Sequence, residues 1–337
     1  MRERNDLHPF IKYPGGKTKE IPLVLKYMPK NVNRYVEPFV GGGSVYFALD
    51  IHPSLINDKS KDLYLLYFFI KNNNVQFKKY LLMMDSLWID VEKNSFLSAV
   101  AKYNFVNAAT FKTYYEKSLR RKYASIRRFE SQGLIVSTED KAATEITARK
   151  TAVYMIIRDI YNSRQNDHEL HTASFYFLRE YCYSSMFRFS AKGDFNVPYG
   201  GMSYNSKRML NKIEYMFSDK VQTFMKDTVI GNDDFAVFMD KMEMKEGDFI
   251  FLDPPYDSDF STYDNNPFDK AEQIRLRDYL SQTKANWMLI IKKTDFIEGL
   301  YKDFNVIEYD MNYMVSFKNR NDRDVQHLLI TNYKVDF

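Results

Sequence analysis

Apolar and polar positions follow two different rhythms along this chain. The first sixty residues are short apolar runs broken by turn residues. Tyr35-Val36-Glu37-Pro38-Phe39-Val40 runs into Gly41-Gly42-Gly43-Ser44 and then Val45-Tyr46-Phe47-Ala48-Leu49, the pattern of a strand, a glycine turn and a helix. Leu55-Ile56-Asn57-Asp58 reads as a second strand ending on an acid. From about Leu63 to Tyr204 the spacing becomes helical, over Leu63–Lys71, Phe77–Leu87, Thr110–Phe129 and Ala142–Tyr161. After Ser206 strands and helices alternate again. Val221-Gln222-Thr223-Phe224 reads as a strand-like run, followed by a short helix after Asp233-Asp234-Phe235, a buried strand Phe249–Leu252 and a helix near Ala271–Gln282. Trp287–Ile291 is a further strand, and the segment near Tyr313–Phe317 with Val325–Thr331 forms a terminal hairpin. Strands alternating with helices predict a doubly wound α/β sheet.

Composition narrows the class without choosing a function. Apolar residues make up 45% of the 337 positions, enough for a sizeable core. A net charge of +4 permits a nucleic-acid partner without demanding one. The bases are not spread evenly: Lys112, Lys117, Arg120, Arg121, Lys122, Arg127 and Arg128 fall between 112 and 128, with Glu116 the only acid there. A single cysteine, Cys182, excludes an internal disulfide framework and fits a reducing, cytoplasmic setting. The N-terminus has no apolar segment of signal-peptide type, and no run reaches about 18 apolar residues, so no membrane span is expected. His168-Glu169-Leu170-His171 lacks the i, i+4 spacing of a helical zinc site and reads as a surface loop, with no metal expected.

Chemistry concentrates where apolar runs end. Asp248-Phe249-Ile250-Phe251-Leu252 leads directly into Asp253-Pro254-Pro255-Tyr256. An acid and an aromatic ring at a strand's C-terminal end occupy the place where α/β sheets bind ligands. Glycines in Gly41-Gly42-Gly43 allow a tight turn and close approach of a ligand to backbone, and the helix behind them offers N–H groups. Taken alone, that loop is equally an ordinary strand-to-helix turn. Asp58 can accept two hydrogen bonds from ribose hydroxyls, or it is a turn or helix cap. Lys12-Tyr13-Pro14-Gly15-Gly16-Lys17 is turn chemistry flanked by lysines and lacks the spacing of a Walker loop.

In this order, Lys-Tyr-Pro-Gly-Gly-Lys, Glu-Pro-Phe-Val-Gly-Gly-Gly, Asn-Asp and Asp-Pro-Pro-Tyr closely resemble the Dam-like family of DNA adenine-N6 methyltransferases. The resemblance implies a Rossmann-like class I methyltransferase sheet, formed by residues 1–62 and 206–337. It also implies an inserted, mainly helical DNA-recognition domain at 63–205, with a hairpin near 186–200. The implied cofactor is S-adenosyl-L-methionine, leaving as S-adenosylhomocysteine, with no metal. Tyr13, Lys17, Phe39, Gly41, Asp58, Asp234, Phe235 and Asp253 would line the cofactor, Asp233 being the alternative acid to Asp234. Asp253, Pro254, Pro255 and Tyr256 would be catalytic. An acid at 253 favours adenine N6 over cytosine N4, where serine is more usual. A catalytically silent DNA-binding module would show damage at these motifs, and none is seen.

A second stretch, from Tyr183 to Gly200, resembles the family's base-reading region. Lys192-Gly193-Asp194-Phe195-Asn196-Val197-Pro198-Tyr199-Gly200 matches the family pattern nearly completely. Ser184 and Ser185 stand where asparagine and glycine are usual, which argues against recognition of GATC. Arg188 matches the arginine that reads a base; guanine O6 and N7 suit its fork, a phosphate or an internal carboxylate being the other partners open to it. Ser184, Lys192, Asn196, Pro198 and Tyr199 join it as implied DNA contacts. Arg120, Arg121 and Arg127 are expected on phosphates, or form a solvated helix face. The implied partner is double-stranded DNA, with room for a cognate restriction endonuclease, and a monomer suffices because one pocket takes one base.

Overall fold

The computed structural model describes residues 6–164, 166–255, 268–312 and 324–335. Two compact units emerge, one from residues 1–68 and 223–337, the other from 69–222.

The first unit holds a seven-stranded sheet in the order β3-β2-β1-β4-β5-β7-β6. Its strands are β1 (Arg34–Glu37), β2 (Ser54–Asn57), β3 (Thr228–Gly231), β4 (Asp248–Leu252), β5 (Asn286–Lys292), β6 (Asn305–Asn312) and β7 (Asp324–Thr331). The first five in that order are parallel, and β7 pairs antiparallel with both β5 and β6. Parallel strands covered on both faces need apolar residues at every position. Phe249-Ile250-Phe251-Leu252 satisfies this, and all four are fully buried. The core against them gathers Val36, Leu55, Phe238, Leu276, Trp287, Leu289 and Ile330. The bottoms of the two central strands are tied by Arg34, whose Nε and Nη2 donate to the two oxygens of Asp248 at 2.8 and 2.5 Å. Strand order reverses direction between β1 and β4, so their C-terminal ends open onto the crevice where such sheets bind ligands.

Helix α1 (Ile21–Tyr27) precedes β1, and α2 (Ser44–Leu49) and α3 (Lys61–Lys71) follow β1 and β2. The second unit contains α4 (Val75–Asp90), α5 (Phe96–Val100), α6 (Ala108–Ser131), α7 (Thr138–Asn162), α8 (His168–Tyr181) and α9 (Leu210–Met216). The chain returns to the sheet within α10 (Asp219–Met225), and α11 (Phe235–Lys241), α12 (Lys270–Gln282) and α13 (Asp295–Leu300) complete the first unit. Trp88 on α4 packs on Tyr181 at 4.3 Å between ring centres and edge-on to Phe177. Several charges are buried among these helices. Asp85 accepts from Arg208 and from the Met209 backbone, and Glu180 takes Lys207 and Lys212.

Three sequence expectations change. Val221–Phe224 is helical, within α10, and the strand lies later at Thr228–Gly231. Val221, Phe224 and Met225 are all buried, the i, i+3, i+4 spacing of one helix face, which a four-residue window cannot distinguish from a strand. His168–His171 is the first turn of α8 rather than a loop, because Asp167 caps it by accepting from the Leu170 amide at 2.8 Å. The units divide at 68/69 and 222/223, beyond the expected 62/63 and 205/206, since Asp85 binds the 208–209 segment into the helical unit. The Tyr313–Phe317 half of the expected hairpin lies outside the described residues.

Candidate active site

The glycine loop after β1 is built by its neighbours. Gly43 caps α2 with φ +76°, and a Cβ there would lie 2.7 Å from the Tyr67 hydroxyl. A Cβ at Gly42 would meet Tyr13 Cβ at 3.1 Å and the Ile11 carbonyl at 3.2 Å. The Lys-Tyr-Pro-Gly-Gly-Lys segment therefore lies directly on the glycine turn. Asp58, at the end of β2, closes the other side: the Gly41 amide donates to its Oδ2 and the Ser60 amide to its Oδ1, both at 2.9 Å. Asn57 beneath it donates to the carbonyls of Pro38 and Asp233 and accepts from the Asp233 amide, stitching the ends of β1, β2 and β3 together.

Across the switch point, β4 delivers Asp253. Lys17, only 4% exposed, pairs with Asp253 Oδ1 at 2.6 Å and donates to the Gly15 carbonyl at 2.9 Å. Burial pushes the Asp253 carboxyl above the usual carboxylate range, and Lys17 pulls it back part of the way. Asp58 is half-exposed but closely walled by protein atoms, and burial pushes its carboxyl up to about 6 against the two amides that favour ionisation. Glu37 is buried at the end of β1, accepts from the Tyr35 hydroxyl at 2.7 Å, and is held well above the ordinary glutamate range by burial. Glu20 is buried beside Lys17 and raised for the same reason. Asp253 and Glu20 thus share one buried lysine, while Glu37 and Asp58 stand at the ends of β1 and β2.

On the comparisons, residues 13–315 match the family model of the D12 class N6 adenine-specific DNA methyltransferases. The chain belongs to this family. Its similarity to single members is distant but covers most of this chain. It is 27% identical to the type II methyltransferase M.CviBI of Paramecium bursaria Chlorella virus NC1A, over 97% of this chain and 100% of that one. To M.MjaIII of Methanocaldococcus jannaschii the figures are 28%, 97% and 100%. The DNA adenine methylase of Salmonella typhi is 22% identical over 82% of this chain and 77% of its own. The protein is an adenine-specific DNA methyltransferase, and the family decides for adenine N6 over cytosine N4.

In this methyltransferase the remaining expected site residues divide. Phe39 and Phe235 come together, 5.5 Å apart, and Phe268 completes an aromatic corner with both. Asp234 caps α11 and is gripped by Arg275, whose Nη1 and Nη2 reach its two oxygens at 2.8 and 2.6 Å. The Arg275 hydrogen bonds hold the Asp234 carboxyl below its ordinary value. The same guanidinium lies over the Phe235 ring, 4.2 Å from its centre. Asp233 pairs instead with Lys241 at the surface. Pro254 is buried, and the Pro255 carbonyl accepts from Gln273 Nε2 at 3.2 Å. Tyr256 lies outside the described residues.

Sequence reasoning missed Tyr67, Phe268, Gln273 and Arg275, all of which brace the site. No motif marks them, because each sits on a helix or loop remote in sequence.

Within the helical unit, Arg188 is exposed and its Nε donates to Asn196 Oδ1 at 2.9 Å, while the Asn196 amide returns a bond to the Arg188 carbonyl. Phe189 and Phe195 bridge the two arms, and a turn at 190–194 presents Lys192 to solvent. Ser184 and Ser185 both adopt φ near +50°, at 52° and 51°. This left-handed backbone suits asparagine and glycine far better than serine. The fold keeps the shape that Asn-Gly would favour while the residues have changed. Tyr199 is a framework residue: its hydroxyl donates to Asn205 and its ring packs on Trp88. Pro198 is exposed, and its carbonyl accepts from the Tyr183 amide. Arg120, Arg121 and Arg127 are exposed on α6.

Proposed function

We propose that the enzyme moves the methyl group of S-adenosylmethionine to adenine N6 within one short sequence of duplex DNA, taking the target base out of the helix to do so. The observation that carries this reading is the Lys17–Asp253 pair, which joins the N-terminal motif to the Asp-Pro-Pro turn beside the glycine loop. When bound, the cofactor supplies an electrophilic methyl on a positively charged sulfur. The pocket's chemistry fits such a group, since the Asp58 and Asp253 carboxyls stand at the ends of β2 and β4 beside the glycine loop. Tyr13, Phe39 and the Gly41 backbone line the methionine part, and Asp58 accepts the ribose hydroxyls. Phe235, with Phe39 and Phe268, offers an apolar wall to the adenine. Asp234 keeps lone pairs beyond those Arg275 uses, and they accept from the adenine amino group.

Adenine's exocyclic nitrogen is a poor nucleophile because its lone pair is conjugated with the ring. Acceptors on both N–H groups draw the lone pair out of plane. Lys17 engages Asp253 Oδ1, which leaves Oδ2 for one N–H, and the Pro254 carbonyl takes the other. Proline's fixed φ keeps that carbonyl aimed. Tyr256 supplies the face on which the flipped base stacks. Positioning and electrostatics carry the rate, with no covalent enzyme intermediate. Unpairing the base costs a few kcal/mol, which DNA contacts must offset.

For recognition, the Asn196 bond to Nε supports Arg188 as the base reader, because it leaves the fork's outer edge for guanine O6 and N7. Ser184, Lys192 and Pro198 are each exposed along the 183–200 stretch and join Arg188 as DNA contacts, with Tyr199 held in the framework by Asn205 and Trp88. Arg120, Arg121 and Arg127 take phosphates. Similarity to type II methyltransferases favours a modification role beside a cognate nuclease, with the enzyme acting as a monomer in a reducing, cytoplasmic compartment. Among the described residues no helix is long and apolar enough to cross a membrane.

The test is single-molecule sequencing of DNA treated with the purified protein and S-adenosylmethionine. N6-methyladenine at one short motif other than GATC is the expected result. Binding of S-adenosylhomocysteine without modification of any duplex would overturn the DNA-site reading.

A further inference from the structure

Helices α6 and α7 form a long antiparallel hairpin in the helical unit. Three contacts set its register: Tyr114 to Asp159, Tyr123 to Glu145 and Lys141 to Glu130. On α6 the apolar side, with Phe111 and Ile126 buried, faces its neighbours. Lys117, Arg120, Arg121, Arg127 and Arg128 fall within an arc of about 120° on the opposite side. All five are exposed, and among the described residues none forms an ion pair with a carboxylate. Glu130 lies off this stripe and is held by Lys141.

The hairpin's tip is ordered and apolar. Gly133, at φ +83°, closes α6 with the paired bonds Gly133 N to Glu130 O and Leu134 N to Phe129 O. Ser137 caps α7 by accepting from the Asp140 amide at 3.0 Å. Phe129 in the last turn of α6 is 49% exposed, and Leu134 and Ile135 between the two caps are 56% and 98% exposed. An exposed apolar corner this well defined marks an interaction site. The other end of α7 holds the reading loop: Asn162 exchanges two hydrogen bonds with Phe195, and Tyr154 donates to the Val197 carbonyl. The 25 residues of α7 span about 37 Å, close to one turn of B-form DNA at about 34 to 36 Å.

We propose that the α6–α7 hairpin is a second DNA-contacting arm, with its basic stripe on phosphates and its apolar tip against the duplex about one helical turn from the base read by Arg188. The inference rests on the DNA reading above, and the occupant it assigns is flanking duplex without regard to sequence. Positive charge without acidic partners fits a polyanion, and apolar side chains beside it fit a groove wall or an opened base step.

The test compares binding to duplexes carrying the methylated motif with flanks of about 5 and about 15 base pairs, the latter exceeding one turn. The wild-type enzyme is expected to bind the longer duplex at least ten-fold more tightly. L134S/I135S is expected to lose that gain, and R127Q/R128Q to lower the salt-dependence slope by about 2, one unit per phosphate released. Methylation of the short duplex by the wild type is the separate control for the enzymatic reading, which fails only if no duplex is modified. Equal affinity for both lengths with methylation intact overturns the arm. So does a tip variant that keeps the length dependence but loses self-association in sedimentation, which would assign the tip to a second copy of the chain.

Discussion

The two units handle charge in opposite ways. In the sheet unit the enclosed carboxyls gather at the candidate site: Asp253 and Glu20 beside Lys17, with Glu37 and Asp58 at the ends of β1 and β2. In the helical unit the buried charges are framework, such as Asp85 with Arg208 and Glu180 with its two lysines, and the residues offered to a partner are exposed. Methyl transfer needs dry, oriented acceptors, so its groups are pulled inward. The proposed reading of a duplex needs donors that reach out, and Arg188 and Lys192 are exposed on a fastened loop.

Breaking the contrast at its strongest point means removing the reacting acid. Asp253→Ala is expected to lower kcat by about a thousand-fold or more with DNA affinity little changed, measured by methyl incorporation beside a binding assay. An equally active variant would remove Asp253 from catalysis. The framework counterpart is Arg208→Ala, which strands the buried Asp85 carboxylate. It should cost about 3 kcal/mol of stability, read by denaturant unfolding, with kcat per folded molecule retained.

Lys17→Met sharpens the link between charge and chemistry. Without its cation Asp253 ionises only at higher pH, so the acid limb of the pH–rate profile should move upward and kcat at neutral pH fall by about a hundred-fold. A uniform loss with an unmoved limb would make Lys17 merely structural. Asp58 offers a finer probe. Its folded carboxyl titrates near 6, above the 3.8 of a free aspartate. The folded state therefore binds the extra proton between these values, and stability declines as pH rises from about 4 to 6. Affinity for S-adenosylhomocysteine should rise as pH passes through about 6, where the folded carboxyl ionises, because only the ionised form accepts both hydroxyls. Asp58→Asn should bind about ten-fold more weakly and lose that pH dependence in calorimetry.

The smallest effect tests the reading loop. Ser185→Gly relieves a left-handed serine, so the helical unit should gain about 1 kcal/mol and unfold at a slightly higher temperature. A loss of stability would mean the Ser185 side chain makes a compensating bond.

Much of this was legible in the chain itself. The glycine turn, Asp58 and the Asp-Pro-Pro turn announce themselves because each follows an apolar run on adjacent residues, and strand ends are local features. Helices α3, α4, α6 and α7 were equally plain from their period, whereas α8 was not, and the α/β class followed from the alternation. The order of the motifs sufficed for the family and its reaction, where composition alone chose neither.

Tertiary structure decided what depends on distance in sequence. Only folding brings Lys17 to Asp253, Arg275 to Asp234 and Phe268 to Phe39, because strand order places β1 beside β4 across more than two hundred residues. It also assigned Tyr199 a place beside Trp88, turned Val221–Phe224 into a helix, and showed that Ser184 and Ser185 keep a backbone their side chains do not favour. Local propensity records what a segment prefers; which preference prevails is set by the neighbours that packing supplies.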